Sequence, residues 1–191
     1  MSLTRRHLLL AAPVLLAGCG VTATPPRIFS LRPLPPAPSA DGTTWSLAIA
    51  APRALKSLDS ERIAHRPDAL ELQYYAGADW VDRAPQMVQM LMIRSFQNRT
   101  RLQVTAADSP GPLPDYLLTS LLQDFQSENG AAHVTLVASL AHGARRQSAE
   151  TRIFEATAPC GDSIASVVAG FDAAAAEVMQ QLIGWVLARA G

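Results

Sequence analysis

The sequence predicts an α+β fold. One domain over residues 45–191 should carry a mainly antiparallel sheet with two helices packed on one face, behind a signal peptide (residues 1–18) and a Pro-rich linker (19–44). Three observations predict it. Residues 116–158 form runs of strand composition broken at Glu128-Asn129-Gly130 and His142-Gly143-Ala144, the pattern of a hairpin meander. Residues Ile164, Val168, Phe171, Ala175, Val178, Leu182 and Trp185 recur at spacings of four and three, which draws one apolar stripe down a helix. A second helix is marked by Met87-Val88-Gln89-Met90-Leu91-Met92-Ile93, apolar at six of seven places and so covered on most sides.

The elements follow in order. Arg5 and Arg6 precede an apolar run, Leu8 to Ala17, about half the roughly twenty residues of a spanning helix, so residues 1–18 read as an export signal. Residues 20–44 read as a tether, because Pro25-Pro26 and the run Pro33 to Pro38 favour extended, semi-rigid chain that resists packing. Between the prolines, Arg27 to Arg32 has the alternation of an edge strand. Strands are expected at 45–50 and at 70–75, the latter ended by Ala76-Gly77. Asp82 should cap a helix that tolerates Pro85 in its first turn and runs to Asn98. A strand at 101–104 and a Pro/Gly loop at 108–114 come next, then strands at 116–126, 132–140 and 146–158. Pro159-Cys160-Gly161 breaks the sheet, and Asp162 or Ser163 caps a helix reaching Arg189. The far face of that helix carries only Asp172, Glu177, Gln180 and Gln181 among many alanines. Residues 172–189, with Ala173 and Ala176 outward, are therefore expected to touch another protein or a second copy of the chain.

Composition narrows the function. Removing residues 1–18 leaves 14 basic against 16 acidic side chains, a balance that argues against nucleic acid, which requires a basic face. No second apolar run reaches spanning length. With Cys19 in the leader region, Cys160 is the only cysteine of the domain, so no intrachain disulfide framework forms and Cys160 reads as a buried apolar residue. His65, His133 and His142 lie far from one another and from cysteine, unlike the ligand spacing of a zinc site. No G-x-S-x-G, phosphate-cradling glycine loop or H-E-x-x-H is present. Ser163 reads as a cap, and Asp79 and Asp82, flanking Trp80, as a polar turn. No catalytic, cofactor or metal residue is expected, and the chain reads as no enzyme. Two features suggest binding beside their simpler reading as core. Met87, Met90 and Met92 supply soft side chains suited to lipids or variable partners. Trp185-Val186-Leu187 suits a subunit contact. Arg145-Arg146 reads as a solubilising turn.

Leu16-Ala17-Gly18-Cys19 resembles the lipobox of bacterial lipoproteins, where the cysteine is acylated and becomes the first residue. Two or more acyl chains hold a protein stably on a membrane, each buried CH2 contributing about 0.8 kcal/mol. Gly20 stands where such lipoproteins carry Asp when kept at the inner membrane, which implies the outer membrane, facing the periplasm. Thr4 to Leu9 is similar to a twin-arginine export signal as well as to a general one.

From the lipobox onward the chain resembles the ABC-type transport auxiliary lipoproteins, the PqiC-like group that accompanies MCE-domain lipid transport systems. The resemblance rests on ordered features: Phe29-Ser30-Leu31, Leu47 to Pro52, Leu55-Lys56-Ser57-Leu58-Asp59, Arg62-Ile63 with Arg66, Leu70-Glu71-Leu72, Asp79-Trp80 and Asp124-Phe125. Phe29 stands where the family often has Tyr, and residues 59–66 depart from its pattern. The resemblance implies a non-catalytic periplasmic component that works with an MCE-domain protein, an ABC permease and an ATPase to move lipids between the two membranes. The alternative is a structural or assembly-factor lipoprotein of another outer-membrane complex.

Cys19→Ser should leave an unprocessed or freely soluble protein. Intact mass and membrane partitioning check this; a variant that still partitions as a mature form would remove the anchor.

Overall fold

The computed structural model describes residues 25–37, 45–143 and 149–190. The signal peptide, Cys19, Gly20 and Arg145-Arg146 lie outside the described residues. In chain order the elements are β1 (Arg27–Phe29), β2 (Ser46–Ile49), β3 (Arg53–Ala54), β4 (Arg62–Asp68), β5 (Glu71–Trp80), α1 (Ala84–Arg99), β6 (Gln103–Ala106), β7 (Tyr116–Glu128), β8 (Ala131–His142), β9 (Glu150–Pro159) and α2 (Ile164–Ala190).

Strand β7, 13 residues long, is the spine of a mixed sheet. On one side β8 runs antiparallel to it from Tyr116↔His142 to Glu128↔Ala131, and β9 continues the meander beyond β8. The turn between β7 and β8 is Asn129-Gly130, both at positive φ (49° and 73°), the geometry that this dipeptide favours in a two-residue hairpin. On its other side β7 takes three short parallel strands end to end: β2 beside Leu117, β3 beside Leu121 and Leu122, and β4 beside Gln126 to Glu128. Strand β6 lies outside β2, β5 outside β4, and β1 outside β5. The long ladders are antiparallel, as expected, and the parallel pairings are short additions. Strand β5 does not stop at Gly77. It passes through that residue at φ 66° and reaches Trp80, because its last three residues pair with β1.

One face of the sheet is apolar. Leu118, Leu122 and Phe125 of β7 lie opposite Leu140, Leu136 and Val134 of β8, with a register shift between Leu122 and Asp124. The side-chain period of a strand is two, so without that extra residue Phe125 would turn to the other face. Helix α2 covers this face with Phe171, Ala175, Val178, Leu182 and Trp185 of the expected stripe, all buried, and with Val167 rather than Val168 at its start. Trp80, Phe125 and Phe171 meet in a triad, with ring centroids 5.4 Å (Trp80–Phe125), 5.3 Å (Trp80–Phe171) and 4.9 Å (Phe125–Phe171) apart.

Helix α1 packs on β2, β6 and α2, fixed by Gln89 Nε2 donating to the Ile49 carbonyl (2.9 Å) and Gln97 Nε2 to that of Val104 (3.2 Å). Arg83, not Asp82, precedes its first turn; it makes no side-chain cap, and Pro85 occupies the first turn. The Asp82 carboxylate accepts the Arg83 N–H instead (2.7 Å), which removes it from the capping position. Ser163 caps α2 as expected, its Oγ accepting the Ser166 N–H (3.2 Å).

The largest difference from the sequence reading lies at the N-terminal side. Residues 27–37 form a strap that closes the core, whereas the proline run was expected to resist packing. Leu31 and Leu34 are buried in the core cluster. The Leu34 N–H donates to Ser95 Oγ (3.1 Å), its carbonyl accepts from Asn98 Nδ2 (2.7 Å), and Ala37 N–H donates to the Asn98 carbonyl (3.3 Å). Arg32 donates to Asp172 of α2 from its backbone N–H and from Nε, both at 2.8 Å. Proline lacks an N–H, so an extended Pro-rich segment lays few unpaired donors against the helices while its leucines fill their grooves. The sparsely charged face of α2 is partly used within the chain. Ala174 is buried, Ala176 rests on the core and Asp172 holds the strap, which leaves Ala173, Glu177, Gln180 and Gln181 exposed.

Two predictions follow from the packing. Phe171→Ala should lower stability by about 3–5 kcal/mol, measured as a shift in urea midpoint at constant slope. Asp115 Oδ2 accepts from the Ser46 N–H (2.7 Å) and hydroxyl (2.8 Å), and these bonds, the backbone one first, hold its carboxyl below the ordinary 3.8. A depressed carboxyl stabilises above its unfolded pKa and loses that contribution as pH falls through its folded pKa. The stability gap between the parent and Asp115→Asn should therefore be constant near neutrality and close below about pH 4 in a series of denaturation curves.

Candidate functional site

The three histidines of the domain do not converge. His65 lies on β4, His133 on β8 against Thr157, and His142 at the end of β8, edge-on to Tyr116 with centroids 4.9 Å apart. No group of three or more His, Cys, Asp or Glu positioned for a metal ion occurs among the described residues. Asp79 pairs across β5 with Ile28 and Arg62, while Asp82 lies in the turn before α1. Cys160 is half-buried rather than buried, and burial followed by the nearby Asp162 pushes its thiol pKa up, away from the reactive thiolate.

The fold does join one pair that the sequence kept 62 residues apart. Ser127 Oγ lies 3.0 Å from His65 Nδ1 and 2.9 Å from the Tyr75 hydroxyl. The parallel pairing of β4 with β7 sets His65 opposite Ser127, and this pairing had no sequence signal. Ser127 is only 2% exposed and its oxygen is already shared by two partners. The cluster is a satisfied polar network within the sheet, not an exposed nucleophile beside a base.

The most distinctive surface feature is a groove where the strap crosses α1. Its walls are Leu31 and Pro33 of the strap, Val81 after β5, and Met87, Met90 and Leu91 of α1. Ser30, Asp82 and Arg94 supply its polar rim, and it encloses about 280 Å³. The arrangement follows from local rules. Met87, Met90, Leu91 and Arg94 fall at three- and four-residue spacings, so they share one side of the helix. The Val81 N–H donates to the Phe29 carbonyl (2.7 Å), which brings the end of β5 against the strap. Met92 is fully buried and Met87 nearly so, whereas Met90 is 44% exposed and Val81 56%. Of the three methionines, Met92 belongs to the core and Met87 and Met90 shape the groove. Arg94 has no ion-pair partner among the described residues, unlike Arg32, held by Asp172, and Arg83, held by Asp59. Chemically the groove suits an apolar chain with a polar end.

The comparisons with known proteins agree with one another. The family described as the ABC-type transport auxiliary lipoprotein component matches residues 29–183, from inside the strap to the last turns of α2. A crystal structure of a Xanthomonas campestris protein superposes with a TM-score of 0.75 at 31% identity, covering 84% of this chain and 95% of that one. A second solved protein shares the fold alone, with a TM-score of 0.69 at 13% identity over 85% of this chain and 99% of that one. A Bradyrhizobium diazoefficiens protein is 28% identical over 153 residues, 78% of this chain; the match spans 41% of that protein's length.

Ser127→Ala should cost about 1–3 kcal/mol by leaving His65 and Tyr75 without their shared partner, and should leave the protein's role in the cell intact. Denaturation and complementation of a deletion strain check this together. Lost complementation at unchanged stability would point to chemistry at Ser127.

Proposed function

The chain belongs to the ABC-type transport auxiliary lipoprotein family, and on that premise we propose that it is a non-catalytic accessory subunit of an ABC/MCE-type transporter that moves lipids between the inner and outer membranes. The family places it in the cell envelope. In this reading Cys19 carries the acyl anchor, Gly20 directs the protein to the outer membrane, and the domain faces the periplasm. The MCE-domain protein and the permease are its partners, and their ATPase supplies the energy. The observation that carries the proposal is the family match over residues 29–183, which takes in β2 to β9, α1, most of the strap and most of α2. None of the described helices is long and apolar enough to cross a membrane. One further observation supports the proposal. The groove presents apolar walls with Ser30, Asp82 and Arg94 at its rim, Arg94 having no ion-pair partner among the described residues, a surface suited to lipid.

Affinity capture of the anchored protein from detergent-solubilised envelopes should recover the MCE-domain protein, the permease and the ATPase together. The mass of the assembly then gives the copy number and tests for a homo-oligomer. Recovery of a secretion or pilus assembly in their place would overturn the proposal and favour an assembly-factor role.

A further inference from the structure

The strap changes how far the domain can stand from its anchor. Residues 27–29 are bonded to β5 and Arg32, Leu34 and Ala37 to α1 and α2, so eight residues, 19–26, lie between the acylation position and the first fixed residue, Arg27. Fully stretched, eight residues span about 26–29 Å. A domain of this length has a radius of gyration of about 15 Å and is roughly 40 Å across. The tether is shorter than the body it holds, and it enters at β1. In a chain acylated at Cys19 this holds the corner made by β1, Val81 and the exposed side of α1 close to the membrane, while β9 lies at the opposite edge of the sheet from β1.

That corner carries apolar side chains that the fold leaves uncovered. Ile28 is 58% exposed, Val81 56% and Met90 44%, and the groove opens between the last two. Ile28 and Val81 adjoin through the bond from Val81 N–H to Phe29. Arg27, stacked over Phe29 at 5.0 Å, and Arg94 stand among them, balanced by Asp79 and Asp82. The charges cancel, so the apolar groups set the affinity and the arginines are placed to meet phosphate oxygens.

We propose that this corner rests in the phospholipid surface of the membrane that holds the anchor, with Ile28, Val81 and Met90 entering the boundary between headgroups and acyl chains. The groove then opens onto lipid, not onto the periplasm. The inference rests on acylation of Cys19, and on nothing about transport partners. Occupation by a partner protein is the competing outcome.

The test uses the full mature chain, with its acylation confirmed by intact mass. It is reconstituted in vesicles of phosphatidylethanolamine with a minority of phosphatidylglycerol. In a Cys160→Ala background, Val81→Cys, Met90→Cys and Ile153→Cys each carry an environment-sensitive fluorophore; all three sites are exposed, and thermal melts confirm folding. Ile153 lies on the bare face of the sheet and is the control. Lipids carrying a nitroxide on the acyl chain should quench the Val81 and Met90 probes several-fold more than the Ile153 probe, and raised salt should leave that ratio unchanged. Equal quenching at the three sites overturns the proposal. So does protection of Val81 and Met90 that appears only when an MCE-domain partner is added, since the occupant is then a protein. A mass without acyl chains overturns it at its premise, and that failure is read separately from the quenching.

Discussion

The fold depends on where Phe125 points. It faces the helices because one extra residue interrupts the ladder between Leu122 and Asp124. There it joins Trp80 from β5 and Phe171 from α2, so a single contact fixes the outer strands, the spine and the long helix together. Trp80 Nε1 has no partner in this cluster, nor has Trp185 Nε1 lower on the same face. An unpaired buried donor costs about 1–3 kcal/mol. Aromatic side chains bury about 150–250 Å² each, at roughly 25 cal/mol per Å², so packing outweighs that loss. Apolar burial, not hydrogen bonding, holds the centre.

The strap extends this core across α1 and α2. Leu31 and Leu34 are side chains of the core in all but sequence position, and Arg32 clips them to α2 through Asp172. The groove lies between the strap and α1. Met87 and Met90 give that groove adaptable walls.

Much of this was legible in the residues, for physical reasons. Strands β7, β8 and β9 are long enough for alternation to show, Asn129-Gly130 has the backbone freedom of a tight turn, and the stripe of α2 follows the helical period. Ser163 was legible as a cap because its hydroxyl reaches a free N–H three residues on. Strand β6 was legible at 101–104, two residues early, whereas β3, of two residues, is too short to carry a period, and β4 combines His65, Arg66 and Pro67 with little alternation. Their places are set by parallel pairing to β7 or β2, which leaves no local mark. The Ser127–His65–Tyr75 network and the groove were hidden for the same reason, since each joins segments dozens of residues apart. Met87, Met90 and Met92 were visible as adaptable side chains, but only the crossing strap decides which of them face outward. Of the strap, the edge strand β1 was legible from its alternation, but the packing of residues 33–37 was not, because prolines signal extended chain, and extended chain can be packed as readily as free.

Amide hydrogen exchange on the full acylated chain tests this account most directly. If the strap is part of the core, the Arg32, Leu34 and Ala37 amides, each bonded to a helix, should exchange as slowly as the amides of α1. Exchange at the rate of a free peptide across residues 27–37, with α1 still protected, would show a loose tether and contradict both the strap and the membrane-facing corner built on it.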